Sequence, residues 1–319
     1  MTTSTAHEFD ALGVRVRVLV DDPGALDQAV GIVRDHLADV DRACSRFRDD
    51  SELQRLAHGS GEPTKVSALL ADALDHALDA ARWTDGIVDP CLGDRMVDLG
   101  YDRDFAQLTT TTSTMMSTPP PTATSTRALT VHRRARWSDV VWSRQARMIA
   151  LPQGCSLDLG ATAKAWAADA CADRVHEATG TQVLVSLGGD LATRGVPTDG
   201  AWTVRVLETL ADDIDGAGVV RIGAGGMATS GTRARRWTHG GSTMHHILDP
   251  GTGAPSTSPW RTVTVWAPTC FEANVLSTAA IASPRHGFDL LRRSGRAARA
   301  VGVDGAVVQL NSWPSEVAS

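Results

Sequence analysis

Apolar and polar side chains alternate over residues 12–20, and this period of two predicts a strand with one buried face. The apolar positions of that strand are Leu12, Val14, Val16, Val18 and Val20. Asp22 and Pro23 follow and predict the start of a helix, because aspartate caps free amides and proline fits the first helical turn. The apolar residues of this helix recur every three or four positions, at Leu26, Val30, Val33 and Leu37.

The same two periods predict the remaining elements of the chain. A second helix is expected from Ser67 to about Trp83, ending before Asp85 and Gly86. Its inward positions are Leu70, Leu74, Ala77 and Ala81. A third helix is expected from near Ala161 to a C-cap at Gly180. Its packing residues are Trp166, Ala170 and Val175.

Further helices are expected at about 271–282 and 287–293, and strands at 183–185, 202–207, 219–222, 263–266, 298–303 and 306–310. The short strand at 183–185 leads into a Leu-Gly-Gly-Asp turn. Because strands and helices are interleaved without a regular βαβ repeat, the expected fold class is α+β.

Threonine, serine and proline dominate the sequence between about residues 106 and 127. This composition is too polar to bury a core, which indicates either a linker between domains or a surface insertion within one. The chain of 319 residues has no other boundary of this kind, and its length allows one large domain.

Composition excludes several classes of protein. The net charge is −6 and the basic residues are spread along the chain, which argues against a nucleic-acid groove. The one compact basic cluster is Arg233, Arg235 and Arg236 beside Trp237, and this pattern favours a solvated face over a phosphate clamp.

The cysteines and the first residues indicate a reducing compartment. The five cysteines include no C-x-x-C pair, so we expect free and mostly buried thiols. The first ten residues lack the basic start and apolar run of a secretion signal, and no apolar stretch of about 18 residues is present to span a bilayer. We therefore expect a cytoplasmic protein that does not bind a membrane.

Asp158 and Gly160 lie just before a predicted helix, whose free amides favour an anionic phosphate. Lys164, one turn into the helix, would reach the same anion. Capping of the helix by Asp158 is the alternative function of this segment.

Asn274 and Thr278 are four residues apart on a predicted helix, so their side-chain oxygens project from one face. Such a face suits a hard cation such as Mg²⁺, which prefers oxygen ligands and substrate phosphates. The alternative is a buried amide at Asn274 and a Thr278 hydroxyl bonded to its own helix backbone.

His245 and His246 are adjacent and face opposite ways on an extended segment, so one of them is expected to be structural. The other suits a role in catalysis or substrate positioning. Asp249 and Pro250 are expected to fix the turn that follows.

Eight segments, in this order along the chain, together resemble the ApbE family of FAD:protein FMN transferases. They are residues 9–13 (FDALG), 45–53 (SRFRDDSEL), 86–90 (GIVDP), 158–164 (DLGATAK), 187–190 (LGGD), 227–231 (MATSG, the Ala-Thr-Ser-Gly turn), 245–255 (HHILDPGTGAP) and 272–278 (EANVLST). The resemblance implies an ApbE-like, T-fold-like single domain over residues 1–319, with a flexible insertion at about 106–127 because the motif order continues across it.

The resemblance also implies roles for particular residues. His246 would be catalytic. FAD contacts would come from Leu12, Phe47, Ile87, Val88, Asp89, Asp158, Lys164 and Ile247. The metal ligands would be the carbonyl of Ala161 and the side chains of Asn274 and Thr278. The chain departs from the family pattern at Leu12 and Val14, where Met and Thr are typical, and at Asn274, where aspartate is typical. Loss of that charge would weaken metal binding by a few kcal/mol at an effective dielectric near 20.

The implied activity is Mg²⁺-dependent transfer of the FMN moiety of FAD to a Thr or Ser hydroxyl of an acceptor flavoprotein, with release of AMP. Acceptors of the family carry an Asp-Gly-x-Ser/Thr-Gly-Ala-Thr type motif, and this chain contains no good copy, so a separate acceptor is expected. Two alternatives remain open: a Mg²⁺-dependent FAD pyrophosphatase, and a non-catalytic FAD-binding protein.

Overall fold

The computed structural model describes residues 4–57, 61–105, 107–108, 134–207 and 218–314. Its centre is an eight-stranded sheet in which each pair of neighbours is antiparallel. Across the sheet the strands are β1 (Thr5–Ala11), β2 (Val14–Val20), β6 (Val183–Leu187), β7 (Asp190–Arg194), β10 (Gly225–Gly231), β13 (Trp260–Ala267), β14 (Ala297–Gly302) and β15 (Val307–Leu310).

Three smaller sheets surround the central one within the described residues. The first contains β3 (Thr64–Lys65), β4 (Val141–Ser143) and β5 (Met148–Ala150), the second β8 (Trp202–Val206) and β9 (Gly218–Ile222), and the third β11 (Arg236–His239) and β12 (Ser242–His245). The described α-helices are α1 (Leu26–Cys44), α2 (Glu52–Ala57), α3 (Ala68–Trp83), α4 (Gly93–Asp98), α5 (Ala163–Thr179), α6 (Cys270–Ala282) and α7 (His286–Arg293). Short 3₁₀ turns occupy Pro23–Ala25, Pro90–Leu92 and Trp137–Asp139.

Both faces of the central sheet are covered, as strand β6 illustrates. Val183 and Val185 belong to the core that contains buried residues of α1, α3 and α5, whereas Leu184, between them, packs into a separate core with Trp202 of the β8–β9 hairpin. Burial of each such apolar side chain contributes about 1.5–3 kcal/mol. The strand is therefore apolar at every position but Ser186, as expected for a strand buried on both faces.

Helix α6 packs directly onto β10 and β13 and forms another core with α7. The approach at Gly226 is close enough that a Cβ there would lie 2.0 Å from the backbone nitrogen of Cys270, so only glycine fits. Asp169 of α5 accepts hydrogen bonds from the amides of Cys270 and Phe271, at 3.0 and 2.8 Å. The first turn of α6 is thus fixed to both the sheet and α5.

The predicted α+β class is confirmed, and most predicted helices and strands agree with the structure to within a few residues. Ser67 caps α3, and Gly180 ends α5 with a φ of +70°. All five cysteines are free and buried, as expected. None of the helices in the described ranges is long and apolar enough to cross a bilayer. The predicted insertion at about 106–127 lies outside the described residues, apart from Gln107 and Leu108.

Two of the predicted elements were wrong. Leu12 does not begin a strand, because Leu12 and Gly13 form the turn between β1 and β2, with φ of +52° and +66°. The Ala-Thr-Ser-Gly segment at 227–231 is not a turn but part of the central strand β10. The third helix begins at Ala163, and its Ala170 is only half-buried. Pairing with distant strands decided the first two cases, which the local sequence does not specify.

Candidate functional site

Asp158 closes a turn before α5 and pairs with an arginine that the sequence analysis overlooked. Its Oδ1 accepts a hydrogen bond from the amide of Gly160 at 2.7 Å, but Asp158 does not cap the helix, because the N-cap residue of α5 is Thr162. Its Oδ2 lies 3.0 Å from Nε of Arg46, in an ion pair whose two side chains are 19% and 10% exposed. The bond to Gly160 uses one carboxylate oxygen of Asp158 and the ion pair with Arg46 uses the other.

The Arg46 guanidinium lies over two neighbouring aromatic rings. Its central carbon is 4.4 Å from the ring centroid of Phe47 and 5.0 Å from that of Tyr101, and the two centroids are 5.5 Å apart. Nη1 donates to the backbone carbonyl of Tyr101 at 2.7 Å. Nη2 is buried without a hydrogen-bond partner within the described ranges. Together with Asp158, these groups form a partly buried aromatic and charged surface, on which Phe47 is 36% exposed.

The segment around Asp89 meets Asp158 at a small cavity. Val88, Asp89, Asp158 and Ala161 all line it, and the amide of Asp158 donates to the carbonyl of Pro90 at 2.8 Å. The Asp89 carboxylate accepts from the amides of Cys91 at 2.9 Å and Trp137 at 3.2 Å, and burial raises its pKa. Asp89 therefore holds two loops together.

The side chains of Ile87 and Val88, which were expected to contact FAD, are engaged in the core. Val88 is buried and Ile87 is half-buried, and both pack in a small core with Val275 of α6. Their side chains serve packing, so a contact with a ligand would come from the backbone of this loop.

Lys164 links the Asp158 region to the rest of the site. Its Nζ donates to the carbonyl of Gly160 at 3.1 Å, and the side chain is half-buried. Burial lowers the pKa of Lys164, and the positive charge of Arg235 lowers that pKa further. Asp158 and Asp190 lie within electrostatic range and oppose that decrease.

Asp190 is the functional candidate that the sequence analysis missed. It is 8% exposed and begins β7, directly after a tight turn in which Gly188 and Gly189 have φ of +64° and +109°. Burial raises its pKa, whereas Lys164 and a hydrogen bond from Asn274 lower it. A carboxylate placed by two glycines at the end of a buried strand was the signal in the sequence.

Asn274 and Thr278 occupy one face of α6, as predicted. The Asn274 amide nitrogen donates to Oδ1 of Asp190 at 3.2 Å, while its Oδ1 is buried with no partner in the described part of the chain. The Thr278 hydroxyl is 3.0 Å from the hydroxyl of Ser230 on β10. The alternative expected for Thr278 was a bond to its own helix backbone, and the structure shows the contact with Ser230 instead.

The two adjacent histidines face different surroundings, as predicted. His245 is within 3.0 Å of the carbonyl of Ser256 through Nε2, and the amide of Ile247 donates to its Nδ1 at 3.3 Å, so this residue is structural. His246 Nδ1 is buried and has no partner among the described residues. Burial lowers the pKa of His246 to about 3, with further contributions from Arg235, Lys164 and His245.

Residues after the histidines fix the main chain. The Asp249 carboxylate accepts from the amide of Gly251 at 2.8 Å, which confirms its predicted role in the turn. Ile247, an expected FAD contact, is buried in the core formed by α6 and α7.

The prediction that the three clustered arginines are exposed to solvent was wrong for one of them. Arg233 and Arg236 are exposed, but Arg235 is half-buried, and its Nη1 lies 3.5 Å from the hydroxyl of Tyr101. It acts electrostatically on Lys164, Asp190 and His246. The local sequence did not separate the three because they follow one another on an irregular segment entering β11.

Leu12 lies at the edge of this region. The turn that contains it is packed against the Gly-Gly turn before Asp190, since a Cβ at Gly188 would lie 2.8 Å from Val14. Leu12 itself is half-buried against the core of the first helices.

The side chains around Asn274 offer oxygen atoms as possible metal ligands, and oxygen ligands fit a hard cation better than a soft one. Within the described residues, no group of three or more His, Cys, Asp or Glu side chains is arranged around a common metal position. The oxygens available are the unpartnered amide oxygen of Asn274, the Asp190 carboxylate and the Thr278 and Ser230 hydroxyls. Mg²⁺ accepts such oxygen ligands when substrate phosphates complete the shell.

Asp158 and His246, 88 residues apart in sequence, both interact electrostatically with Lys164. Arg235 acts electrostatically on both Lys164 and His246, and two cations that lie this near each other suit a diphosphate. A larger cavity of about 360 Å³ lies between α2 and residues 151–157, and none of the predicted site residues lines it. Among the predicted site residues, Asp158, Lys164 and His246 are therefore linked electrostatically.

Known proteins resemble this chain in sequence and in fold. The family model described as the ApbE family matches residues 12–301. The FAD:protein FMN transferase of Klebsiella pneumoniae is 27% identical over 301 residues, covering 93% of this chain and 83% of that protein. The FAD:protein FMN transferase of Treponema pallidum is 30% identical over 278 residues, covering 83% and 74%. The crystal structure of the ApbE protein of Thermotoga maritima has a TM-score of 0.79, with 21% identity over 97% of this chain and 98% of that one, which shows the shared fold.

Proposed function

The chain belongs to the ApbE family, and from this premise we propose that it is an FAD:protein FMN transferase. It transfers the FMN moiety of FAD to a serine or threonine hydroxyl of an acceptor flavoprotein and releases AMP. The observation that carries this proposal is the family match over residues 12–301. A cluster of charged groups supports it, in which Arg46 pairs with Asp158, Lys164 donates to the carbonyl of Gly160 and Arg235 lies 3.5 Å from the hydroxyl of Tyr101.

The flavin half of FAD is bound by the aromatic and charged surface near Asp158. Phe47, which is 36% exposed and is backed by the buried ring of Tyr101, offers an aromatic surface, and the unpartnered Nη2 of Arg46 offers a hydrogen-bond donor to a polar edge of the flavin. Asp158 keeps Arg46 in place through their ion pair. The main chain of residues 87–89, Leu12 and Ile247 complete the binding region at its edges.

The diphosphate of FAD lies beside Lys164 and Arg235. Each brings one positive charge, and their mutual repulsion, which contributes to the lowered pKa of Lys164, is relieved when two negative charges arrive between them. The carbonyl of Ala161 and the side chains of Asn274 and Thr278 would hold Mg²⁺, which would neutralise further charge on the diphosphate.

His246 accepts the proton of the acceptor hydroxyl. Its lowered pKa, about 3, keeps the imidazole neutral at pH 7, and in the tautomer protonated on Nε2 the unpartnered Nδ1 carries the lone pair. A bound diphosphate next to Lys164 and Arg235 raises that pKa and makes the imidazole a stronger base. The hydroxyl oxygen forms a bond to the FMN-side phosphorus, the bond from that phosphorus to the oxygen bridging to AMP breaks, and AMP leaves with the bridging oxygen.

The acceptor is a separate flavoprotein with an Asp-Gly-x-Ser/Thr-Gly-Ala-Thr type motif, and the whole chain acts as one domain. We place the reaction in the cytoplasm, where the five buried free thiols of this chain stay reduced.

The experiment is incubation of the purified protein with FAD, Mg²⁺ and a domain that bears the acceptor motif. We expect a mass increase of one FMN on the acceptor and one AMP released per transfer. His246→Asn should bind FAD and lose transfer, whereas the matched variant of an exposed histidine, His286→Asn, should retain it. Absence of AMP under all metal conditions would contradict the proposal.

A non-catalytic FAD-binding protein is the second candidate, favoured by the neutral amide of Asn274. Such a protein would hold FAD intact in the presence of EDTA and show no metal-dependent product. A pyrophosphatase would instead release both FMN and AMP without labelling the acceptor, so the same incubation distinguishes the three activities.

A further inference from the structure

The face of α6 that would hold the cation carries no charge of its own. Asn274 and Thr278 are both neutral, and a cation held by them alone would depend on the substrate for all of its negative charge. A carboxylate nevertheless lies in direct contact with this face, because Oδ1 of Asp190 is 3.2 Å from the amide nitrogen of Asn274.

The contact fixes the orientation of the Asn274 side chain. A carboxylate only accepts hydrogen bonds, so the nitrogen of the amide faces Asp190 and the amide oxygen is left for another partner. That oxygen is buried and has no partner within the described ranges, in a side chain that is 8% exposed. A buried carbonyl oxygen without a donor is unfavourable, and a cation would satisfy it.

Asp190 itself is held rigidly. It begins a central strand directly after the Gly188-Gly189 turn, and a Cβ at Gly188 would collide with Val14 of the neighbouring strand. The carboxylate is buried beside α6, and it is not paired at hydrogen-bond distance with Lys164 or Arg235 in any contact within the described part of the chain.

We propose that Asp190 supplies the negative charge of the divalent-cation site, so that the charge absent from position 274 is provided by the neighbouring strand. Asn274 and Thr278 then contribute neutral oxygens, and the Asn274 amide nitrogen orients the Asp190 carboxylate. The identity of the cation rests on the proposed function. The inference itself concerns which residue carries the negative charge of the cation site.

A competing role for Asp190 is that of a counter-ion to Lys164 and Arg235, both within electrostatic range. The two roles differ in what happens when the charge is moved. If Asp190 is only a counter-ion, a carboxylate placed at position 274 should not restore what Asp190→Asn loses. If Asp190 is a cation ligand, the carboxylate at position 274 should restore cation binding.

The experiment is titration of the full chain with MnCl₂ in saturating FAD, followed by electron paramagnetic resonance of free Mn²⁺. The proteins compared are the wild type, Asp190→Asn, Asn274→Asp and the double variant. Asp27→Asn, which removes an exposed carboxylate on α1, is the control for net charge. Thermal unfolding without metal checks folding, and Asp190→Asn should fold because its amide oxygen accepts the same hydrogen bond from Asn274.

We expect Asp190→Asn to weaken Mn²⁺ binding at least about tenfold, and the double variant to recover to within about threefold of the wild type. Asn274→Asp alone should tighten Mn²⁺ binding, and Asp27→Asn should leave it unchanged. Unchanged Mn²⁺ affinity in Asp190→Asn, or no recovery in the double variant, would overturn the inference.

Failure of this inference is distinguishable from failure of the proposed function. If the wild type labels the acceptor while Asp190→Asn binds Mn²⁺ normally, the transferase function stands and Asp190 is a counter-ion. Alternatively, the double variant restores Mn²⁺ binding while neither it nor the wild type labels the acceptor or releases AMP. In that case Asp190 is a cation ligand, and the proposed transferase function is wrong.

Discussion

Replacement of Arg46 by methionine isolates the contribution of its ion pair with Asp158. Methionine retains much of the apolar stem that packs near Phe47 and Tyr101 but removes the guanidinium. What remains is the Asp158 carboxylate, 19% exposed, with one hydrogen bond from the Gly160 amide and no opposite charge at 3.0 Å.

The expected loss is large for a single substitution. Two unit charges 3.0 Å apart attract by about 5 kcal/mol at an effective dielectric of 20. Removing one partner of a buried pair typically costs about 3–5 kcal/mol, and the partial exposure of Asp158 places the expected loss of unfolding free energy near 3 kcal/mol. Arg48 provides the matched control, because its side chain is 41% exposed and its partners Asp41 and Asp50 are 33% and 73% exposed. Arg48→Met should destabilise the protein far less than Arg46→Met, because solvent screens the exposed pairs of Arg48.

Urea denaturation of Arg46→Met, Arg48→Met, Asp158→Asn and the Arg46→Met/Asp158→Asn double variant measures these differences. The double variant should be more stable than Arg46→Met, because it removes the unpaired carboxylate. Flavin fluorescence should show that Arg46→Met binds FAD at least about tenfold more weakly, through loss of its cation–π and hydrogen-bond contacts. Equal stability of the Arg46 and Arg48 variants would refute the reasoning.

Three other predictions follow from burial, close packing and charge. His36 is buried and its folded pKa is lowered to about 4 from 6.5, so the unfolded chain takes up the proton first and stability falls as pH drops from about 6.5 to 4. In His36→Leu, the decrease in unfolding free energy between pH 6.5 and 4 should be smaller by up to about 3 kcal/mol, as measured by urea denaturation across that pH range. Gly226→Ala should lose about 3 kcal/mol of unfolding free energy, because its Cβ would meet the backbone of α6. Gly31→Ala should gain about 0.5–1 kcal/mol, because a Cβ there has no other atom within 4 Å. A similar change of stability in both variants would contradict the close packing at Gly226. Lys164→Gln should weaken FAD binding about tenfold at low salt in a fluorescence titration, and Lys65→Gln, at the only other lysine, should not.

The amino-acid sequence was sufficient to predict elements with strong local signals. The boundaries of α3 and α5 follow from a capping serine at Ser67 and a glycine at Gly180, and both signals act within one turn of the helix. The different surroundings of His245 and His246 agree with the expectation from local geometry, because successive side chains of an extended segment alternate.

The tertiary structure alone decided which charged groups meet. Arg46 pairs with Asp158, 112 residues away, and Asp190 with Asn274, 84 residues away, while Arg235 turns inward and its neighbours do not. Periodicity specifies which face of an element is buried, but the partner of a side chain on that face depends on strand order. Strand β7 lies beside β10, on which α6 packs, and this arrangement, set by the whole core, brings a carboxylate to the neutral amide of Asn274.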